Sequence, residues 1–159
     1  MRRHTSGYDL LFFLAILFTL LSLAPGLAHL FEMPRKLRLS RDDYFLVQQV
    51  YKGWDLFGIA ILLQLAALVV LAVRSYRDYY IFRPVIAALA FMLAAQALFW
   101  LFTFPANMAT HNWTRLPATD WEGLRRQWEY SHMAGALFQL LALCSLIGGL
   151  FARVRMAGR

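Results

Sequence analysis

Residues 10–31 read LLFFLAILFTLLSLAPGLAHLF, a stretch that contains no Asp, Glu, Lys or Arg. A helix of roughly 20 apolar residues is long enough to cross the ~30 Å hydrocarbon core of a membrane. The stretch exceeds the apolar region of a signal peptide, which is about 7–15 residues long. We therefore interpret it as a retained membrane-spanning helix.

Three further stretches are also free of charged residues, at 56–73, 84–108 and 133–152. Their apolar residues are continuous rather than alternating, which excludes the strand pattern of a membrane β-barrel. Hydrophobic residues make up 60% of the 159-residue chain, and its mean hydropathy is +0.51. The sequence predicts an all-α fold, a single integral membrane four-helix bundle over residues 1–159. Its predicted spans are about 9–31, 54–73, 84–105 and 130–152.

Two segments outside the apolar stretches carry the sequence signature of a helix start. Each is a capping box: Ser40 with Asp43, and Thr119 with Glu122. Aromatic residues follow both boxes at helical spacing. We expect helices two and four to extend beyond the membrane on one face, over residues 40–53 and 119–129, with Gly53 as a bend.

Two prolines affect the predicted course of the first helix. Pro25 removes a backbone donor and predicts a kink within the span. Pro34 disfavours the α conformation of the residue before it. We therefore expect the first helix to end at Pro34.

The net charge of +7 comes from basic residues that flank the spans. This distribution is typical of membrane anchoring, so the expected partner is the lipid bilayer and not nucleic acid. Each side of the membrane carries eight Lys or Arg residues, but seven of the nine acids lie on the side with the two extensions. Together with the basic N-terminus, this favours an integral plasma (inner) membrane protein with cytoplasmic N- and C-termini.

Polar and ionisable residues cluster where the spans end on the extended face. Because the spans alternate in direction, seven side chains share this face: His29, Glu32, Asp55, Asn107, His111, Glu129 and His132. Such groups are costly at membrane depth and usually mark a function or a partner. The candidate site is therefore at this face.

A metal site is one interpretation of this cluster. His29 and Glu32 are three residues apart, as are Glu129 and His132, so each pair shares a helical face. Di-metal helix bundles use such Glu-x-x-His pairs with further carboxylates. Histidine and carboxylate ligands suit iron, manganese or another divalent metal such as zinc. Asp55 and His111 are candidates to complete the set.

Two other interpretations stay open. The acids have nearby basic partners for ordinary ion pairs: Glu32 with Arg35 and Lys36, Glu129 with Arg125 and Arg126, and Asp55 with Lys52. Alternatively, the tryptophans and tyrosines of this face form a pocket for a flat, lipophilic small molecule. Metal binding, structural pairing and an organic-ligand pocket are all compatible with the pattern.

The chain resembles the anthrone-oxygenase-like family of small four-helix membrane proteins. The stretch Thr103-Phe104-Pro105-Ala106-Asn107 is similar to the family's N-x-P-x-N element, with Thr103 in place of the first Asn. The stretch Trp128-Glu129-Tyr130-Ser131-His132 is similar to its segment leading into helix four, with Gly135 where an Arg is common. Residues 44–51, YFLVQQVY, are similar to its segment before helix two. The resemblance implies oxygen-dependent oxidation of an activated phenolic ring to a quinone.

Two hypotheses about function follow. In the first, the protein is an oxygenase or redox enzyme acting on a lipophilic aromatic substrate, with His132, Asn107 and Glu129 as catalytic residues. Its candidate substrate-binding residues are Trp128, His111 and Asp55, and its candidate metal ligands are His29, Glu32, Glu129 and His132. In the second, the protein is a non-catalytic accessory subunit whose partners are other membrane subunits.

Overall fold

Long helices dominate the structure, a computed structural model that describes residues 7–116 and 120–157. The α-helices are α1 (Gly7–Lys36), α2 (Arg41–Gln48), α3 (Phe57–Ser75), α4 (Tyr79–Leu98), α5 (Phe104–Ala109) and α6 (Trp121–Ala157). Two 3-10 turns, Gln49–Tyr51 and Trp54–Leu56, lie between α2 and α3. A π-helical turn, Phe99–Thr103, joins α4 to α5. The predicted all-α fold is confirmed.

Among the described residues, four helical stretches are long and apolar enough to cross a membrane, and together they describe a small integral membrane protein. They are Gly7–Lys36, Trp54–Ser75, Tyr79–Ala109 and Trp121–Met156. Each predicted span lies within one of them. Helices α1, α3, α4 and α6 pack in a closed ring, since α6 contacts both α1 and α4, and α3 contacts the same two helices.

The core of the ring is built from buried apolar side chains with small residues between them. The large members include Phe12, Leu68, Val85, Met92 and Leu146, which are at most 1% exposed. Buried alanines on α1, α4 and α6 bring the helices close together. On α1, Gly26 serves the same purpose, because a Cβ added there would lie 3.2 Å from that of Ala136 on α6.

A buried polar network joins α1 to α3 midway along the bundle. The Gln64 amide donates to the Thr19 hydroxyl over 3.0 Å and accepts a hydrogen bond from Ser22. All three side chains are buried. Such contacts stabilise helix pairs in membranes by about 0.6–2 kcal/mol.

Helix α1 continues through both of its prolines, so the prediction that it ends at Pro34 is wrong. Proline removes its own N–H from the helical ladder, but the amides after it can still form helical hydrogen bonds. The Leu37 amide still bonds to the Met33 carbonyl at 3.0 Å, and α1 reaches Lys36. This extra half turn matters because it places Lys36 on the buried face of α1.

The segment before α3 is a separate short helix and not a straight extension. Ser40 caps α2, with its hydroxyl accepting from the Asp43 amide at 3.3 Å, as the capping box predicts. The expected bend occurs at Gly53, whose φ of 92° is left-handed. Helix α2 therefore folds back over the end of the bundle.

The N-terminus of α6 is also capped. Asp120 Oδ1 accepts from the Gly123 amide at 2.8 Å. Of the second predicted capping box, Thr119 lies outside the described residues. From Trp121 onward, α6 is continuous through the predicted extension.

The π-helical turn before α5 has an identifiable cause in Pro105. Its ring excludes the normal position of a preceding carbonyl, and the wider turn relieves this conflict, with the Phe104 amide bonding to the Phe99 carbonyl. The Gln127 amide on α6 donates to the Phe102 carbonyl of this turn at 2.8 Å. The turn thereby fixes α5 against α6.

We expect Gly53→Ala to destabilise the protein. A side chain in the left-handed region costs about 1–2 kcal/mol. The matched control is Gly58→Ala within α3, where the added methyl meets open space and alanine is favoured by up to about 1 kcal/mol. Thermal unfolding in detergent micelles measures the stability of both variants. Equal changes in stability for the two substitutions would contradict the assigned turn.

Candidate functional site

The end of the bundle that carries α2 contains a buried ion pair between the first and last spans. Lys36 Nζ lies 2.7 Å from Glu129 Oε1, and the two side chains are 4% and 0% exposed. The Tyr44 hydroxyl donates to the same oxygen at 2.9 Å, and the Gln48 amide donates to the Tyr44 hydroxyl. Glu129 Oε2 is buried without a hydrogen-bond partner. The carboxylate therefore has one satisfied and one unused oxygen.

Aromatic rings surround the Lys36 ammonium group. Its Nζ lies 4.5 Å from the ring centroid of Trp128, 4.7 Å from that of Tyr51 and 5.6 Å from that of Tyr44. A cation over aromatic faces gains up to about 2 kcal/mol when it is removed from water. These rings partly offset the cost of burying the charge.

Two histidines lie side by side next to this pair. The rings of His29 on α1 and His132 on α6 have centroids 4.5 Å apart. His132 Nδ1 is 3.0 Å from the Trp128 carbonyl oxygen, which can only accept. Nδ1 therefore carries the proton, and Nε2 of the neutral ring has the free lone pair. The second imidazole, His29, is buried, and its Nδ1 has no hydrogen-bond partner.

Aromatic side chains also enclose His29. Its ring centroid lies 4.5 Å from that of Tyr51, 4.8 Å from that of Trp128 and 5.4 Å from that of Trp54. We call the group formed by these side chains the polar cluster: His29, Lys36, Tyr44, Gln48, Tyr51, Trp54, Trp128, Glu129 and His132.

Asn107 borders the polar cluster from α5. Its Oδ1 accepts from Trp128 Nε1 at 2.7 Å and from Trp113 Nε1 at 3.3 Å. Indole N–H groups only donate, so both contacts require the oxygen at this position. The orientation leaves the Asn107 amide NH₂ as the donor group of this side chain.

The loop after α5 holds Trp113 in place at the cost of backbone strain. His111, Asn112 and Trp113 have φ values of 47°, 56° and 62°. Left-handed conformations cost non-glycine residues roughly 1–2 kcal/mol each. Burial of the Trp113 side chain and a 2.9 Å bond from the Gln49 amide to its carbonyl offset this cost. The strained turn closes the cluster on the α5 side.

The two tyrosines of the outward segment act as hydrogen-bond donors. Burial raises the pKa of Tyr44, and the adjacent Glu129 adds to this effect. Burial and the hydrogen bond to Glu32 raise the pKa of Tyr51. Both phenols therefore stay protonated at neutral pH and bind carboxylates.

The structure brings together only part of the predicted site. His29, Trp128, Glu129 and His132 lie in the polar cluster, and Asn107 contacts it. Glu32 is exposed and reaches the cluster through Tyr51. Asp55 and His111 are exposed and lie outside the polar cluster as defined.

The predicted metal ligands do not form a common coordination site. Glu129 is bonded to Lys36 and Tyr44, whereas Glu32 is bonded to Tyr51. Within 7–116 and 120–157, no group of three or more His, Cys, Asp or Glu side chains is placed to hold a metal ion. The structure therefore does not identify His29, Glu32, Glu129 and His132 as metal ligands.

Lys36 is the main functional candidate that the sequence analysis missed. The expected pairing of Glu129 with Arg125 or Arg126 is wrong, because Arg125 instead donates to the Leu39 carbonyl at 3.0 Å and Arg126 lies 3.7 Å from Glu122. The sequence did carry one signal, because Lys36 lies seven residues after His29, and the structure buries Ala15, Ser22, His29 and Lys36 at this same spacing. Seven residues are nearly two helical turns, so this spacing places all four on one face.

We expect Glu129→Gln to destabilise the protein by roughly 3–5 kcal/mol, because it leaves the buried Lys36 charge unpaired. Replacing both charges, with Lys36→Met added, should recover part of the loss. The matched control is Glu122→Gln, whose exposed partner Arg126 contributes under about 1 kcal/mol. Unfolding in detergent measures the stability of all three variants. Equal losses of stability for Glu129→Gln and Glu122→Gln would be inconsistent with a buried pair.

No family model, curated protein or solved structure matches this chain. The polar cluster itself is therefore the basis for assigning a function.

Proposed function

We propose that the protein is a membrane-embedded oxidoreductase that oxidises a lipophilic phenolic ring with dioxygen at the polar cluster. The observation that carries the proposal is the His132 imidazole, whose Nδ1–H is held by the Trp128 carbonyl so that Nε2 is the basic nitrogen. A general base oriented by a hydrogen bond on its other nitrogen is a common catalytic arrangement. The resemblance to the anthrone-oxygenase-like family supports the same reaction.

The proposed chemistry assigns one role to each of two side chains. His132 Nε2 removes a proton from the activated CH₂ carbon of the ring system. The Asn107 amide NH₂ donates a hydrogen bond to the oxygen on which negative charge develops. Dioxygen is the oxidant: the CH₂ carbon becomes a carbonyl that contains one oxygen atom, and the second oxygen leaves as water with both hydrogens.

The surroundings of the polar cluster support a lipophilic, aromatic substrate. Tyr51, Trp54 and Trp128 place aromatic rings around His29, and such surroundings suit an aromatic substrate.

We expect His132→Ala to lower the rate of oxygen consumption with a hydroxylated anthrone by about 10²–10⁴-fold, the usual contribution of a general base. Leu137→Ala is the control, since it truncates an exposed side chain on the same helix. An oxygen electrode measures the rate in detergent micelles, and thermal unfolding establishes that both variants fold. An unchanged rate in His132→Ala would refute the assigned role.

The proposed setting is the plasma (inner) membrane, with both termini in the cytoplasm. The terminal end of the bundle carries Arg74, Arg77, Arg83, Arg153 and Arg155 against Asp9 and Asp78. This excess of arginine follows the positive-inside rule. A fluorescent reporter that matures only in the cytoplasm, fused to the C-terminus, should therefore be active; an inactive reporter would reverse the orientation.

A second candidate function, an accessory subunit of a larger membrane complex, is favoured by one observation. Leu46 and Val50 lie outside the four spans and are 71% and 69% exposed. Such residues suit a protein interface. If this function is correct, the purified protein retains a stoichiometric partner, and Leu46→Ser with Val50→Ser releases it. A monodisperse, active protein would exclude it.

A further inference from the structure

Positive charge gathers at the end of the bundle where α1 begins and α6 ends. By sequence, this end carries eight Lys or Arg residues against two acids, whereas the end with the polar cluster carries eight against seven. One of the two acids, Asp9, is already paired, since its Oδ1 lies 2.7 Å from Arg153 Nη2. This end is therefore strongly positive, and the end with the polar cluster is close to neutral.

Four arginines at this end are exposed and have no acidic partner. We call them the arginine face: Arg74, Arg77, Arg83 and Arg155. Within residues 7–116 and 120–157, none of the four takes part in an ion pair. At the opposite end, by contrast, Lys36, Arg41 and Arg126 are each paired with a carboxylate. The arginine face thus keeps its charge available for an external anion.

The sequence positions of these arginines put them at the level of the lipid headgroups. The uncharged stretch 56–73 ends directly before Arg74, and the stretch 84–108 begins directly after Arg83. Arg155 follows the last uncharged stretch by three residues. Because such stretches occupy the hydrocarbon core, the guanidinium groups lie at its boundary, where the lipid phosphates are.

Tyrosines at the same level hold two of the arginines. Arg83 Nη1 donates to the Tyr79 hydroxyl at 2.7 Å, and the Arg83 guanidinium carbon lies 5.1 Å from the Tyr79 ring centroid. The guanidinium carbon of Arg77 lies 5.1 Å from the ring centroid of Tyr76. Both tyrosines are exposed, as is typical of tyrosines at the membrane–water interface. An arginine already placed on a ring loses less conformational freedom when it binds a ligand.

We propose that the arginine face binds the phosphate headgroup of an anionic phospholipid such as phosphatidylglycerol. A guanidinium group presents a planar fork of N–H donors that matches two phosphate oxygens. Each basic residue near an anionic bilayer surface strengthens the attraction roughly fivefold. The headgroup of phosphatidylcholine carries its own cation and is neutral overall, so its attraction to the arginines is weaker.

A lipid fits this face better than an acidic soluble partner does. Only residues 76–78 connect α3 to α4, so this side of the pair offers no large surface above the headgroups. A soluble partner would also have to displace the lipids that surround the arginines. The face is separate from the polar cluster, and its role goes beyond the proposed oxidation.

Native mass spectrometry compares the two lipids directly. The protein is released from detergent micelles that contain phosphatidylglycerol and phosphatidylcholine in equal amounts, and the populations of protein bound to each lipid are measured. We expect the wild type to retain phosphatidylglycerol about tenfold more than phosphatidylcholine. The variant with all four arginines replaced should retain the two lipids about equally: Arg74→Gln, Arg77→Gln, Arg83→Gln and Arg155→Gln.

A matched control removes the same amount of charge at the opposite end. It replaces four basic residues that are also exposed: Arg35→Gln, Arg38→Gln, Lys52→Gln and Arg115→Gln. This control should keep the preference of the wild type. Thermal unfolding verifies that both fourfold variants fold. If the arginine-face variant is unstable, Arg74→Gln with Arg77→Gln alone should still lower the preference by about fivefold or more.

Three results would each overturn the proposal. They are equal retention of the two lipids by the wild type, a preference that survives loss of the arginine face, and an equal loss of preference in the control. The last result would assign the preference to net charge and not to this face. None of these measurements depends on oxygen consumption, so the lipid site and the proposed reaction stand or fall separately.

Discussion

The ion pair between Lys36 and Glu129 is the interaction on which this end of the structure depends. Transfer of each charge from water costs several kcal/mol, and attraction between them offsets this only with good geometry and further hydrogen bonds. The Tyr44 hydroxyl and the rings of Tyr51 and Trp128 provide that support. Because Lys36 ends α1 and Glu129 lies in α6, the pair also ties the first span to the last.

The irregular backbone of this end follows from the need to cover the pair. Gly53 lets α2 fold back so that Tyr44 lies directly on Glu129. On the other side, the π-helical turn before Pro105 places α5 so that Asn107 binds the indole of Trp128. The strained turn ending at Trp113 completes the cover. Such departures from regular geometry concentrate at functional sites, where surrounding contacts hold them.

Much of the fold and part of the candidate site were predictable from local pattern. The uncharged stretches predict the spans because a bilayer core demands about 20 apolar residues per helix. Ser40 marks the start of α2, and the spacing of Glu129 and His132 places both on one face. Lys36 was considered only as a partner of Glu32, because a lysine beside a predicted helix end is usually a solvated anchor, and Pro34 seemed to exclude it from the helix.

The sequence by itself determined the class of the protein, the number of its spans and the face where its polar residues gather. These properties depend on composition and on spacing within one helix, so they are readable without partners. Only the tertiary structure decided that Glu129 pairs with Lys36, that Asn107 binds two indoles, and that Asp55 and His111 lie outside the polar cluster. The physical reason is that each of these contacts joins separate helices, and their distances depend on how the four spans pack.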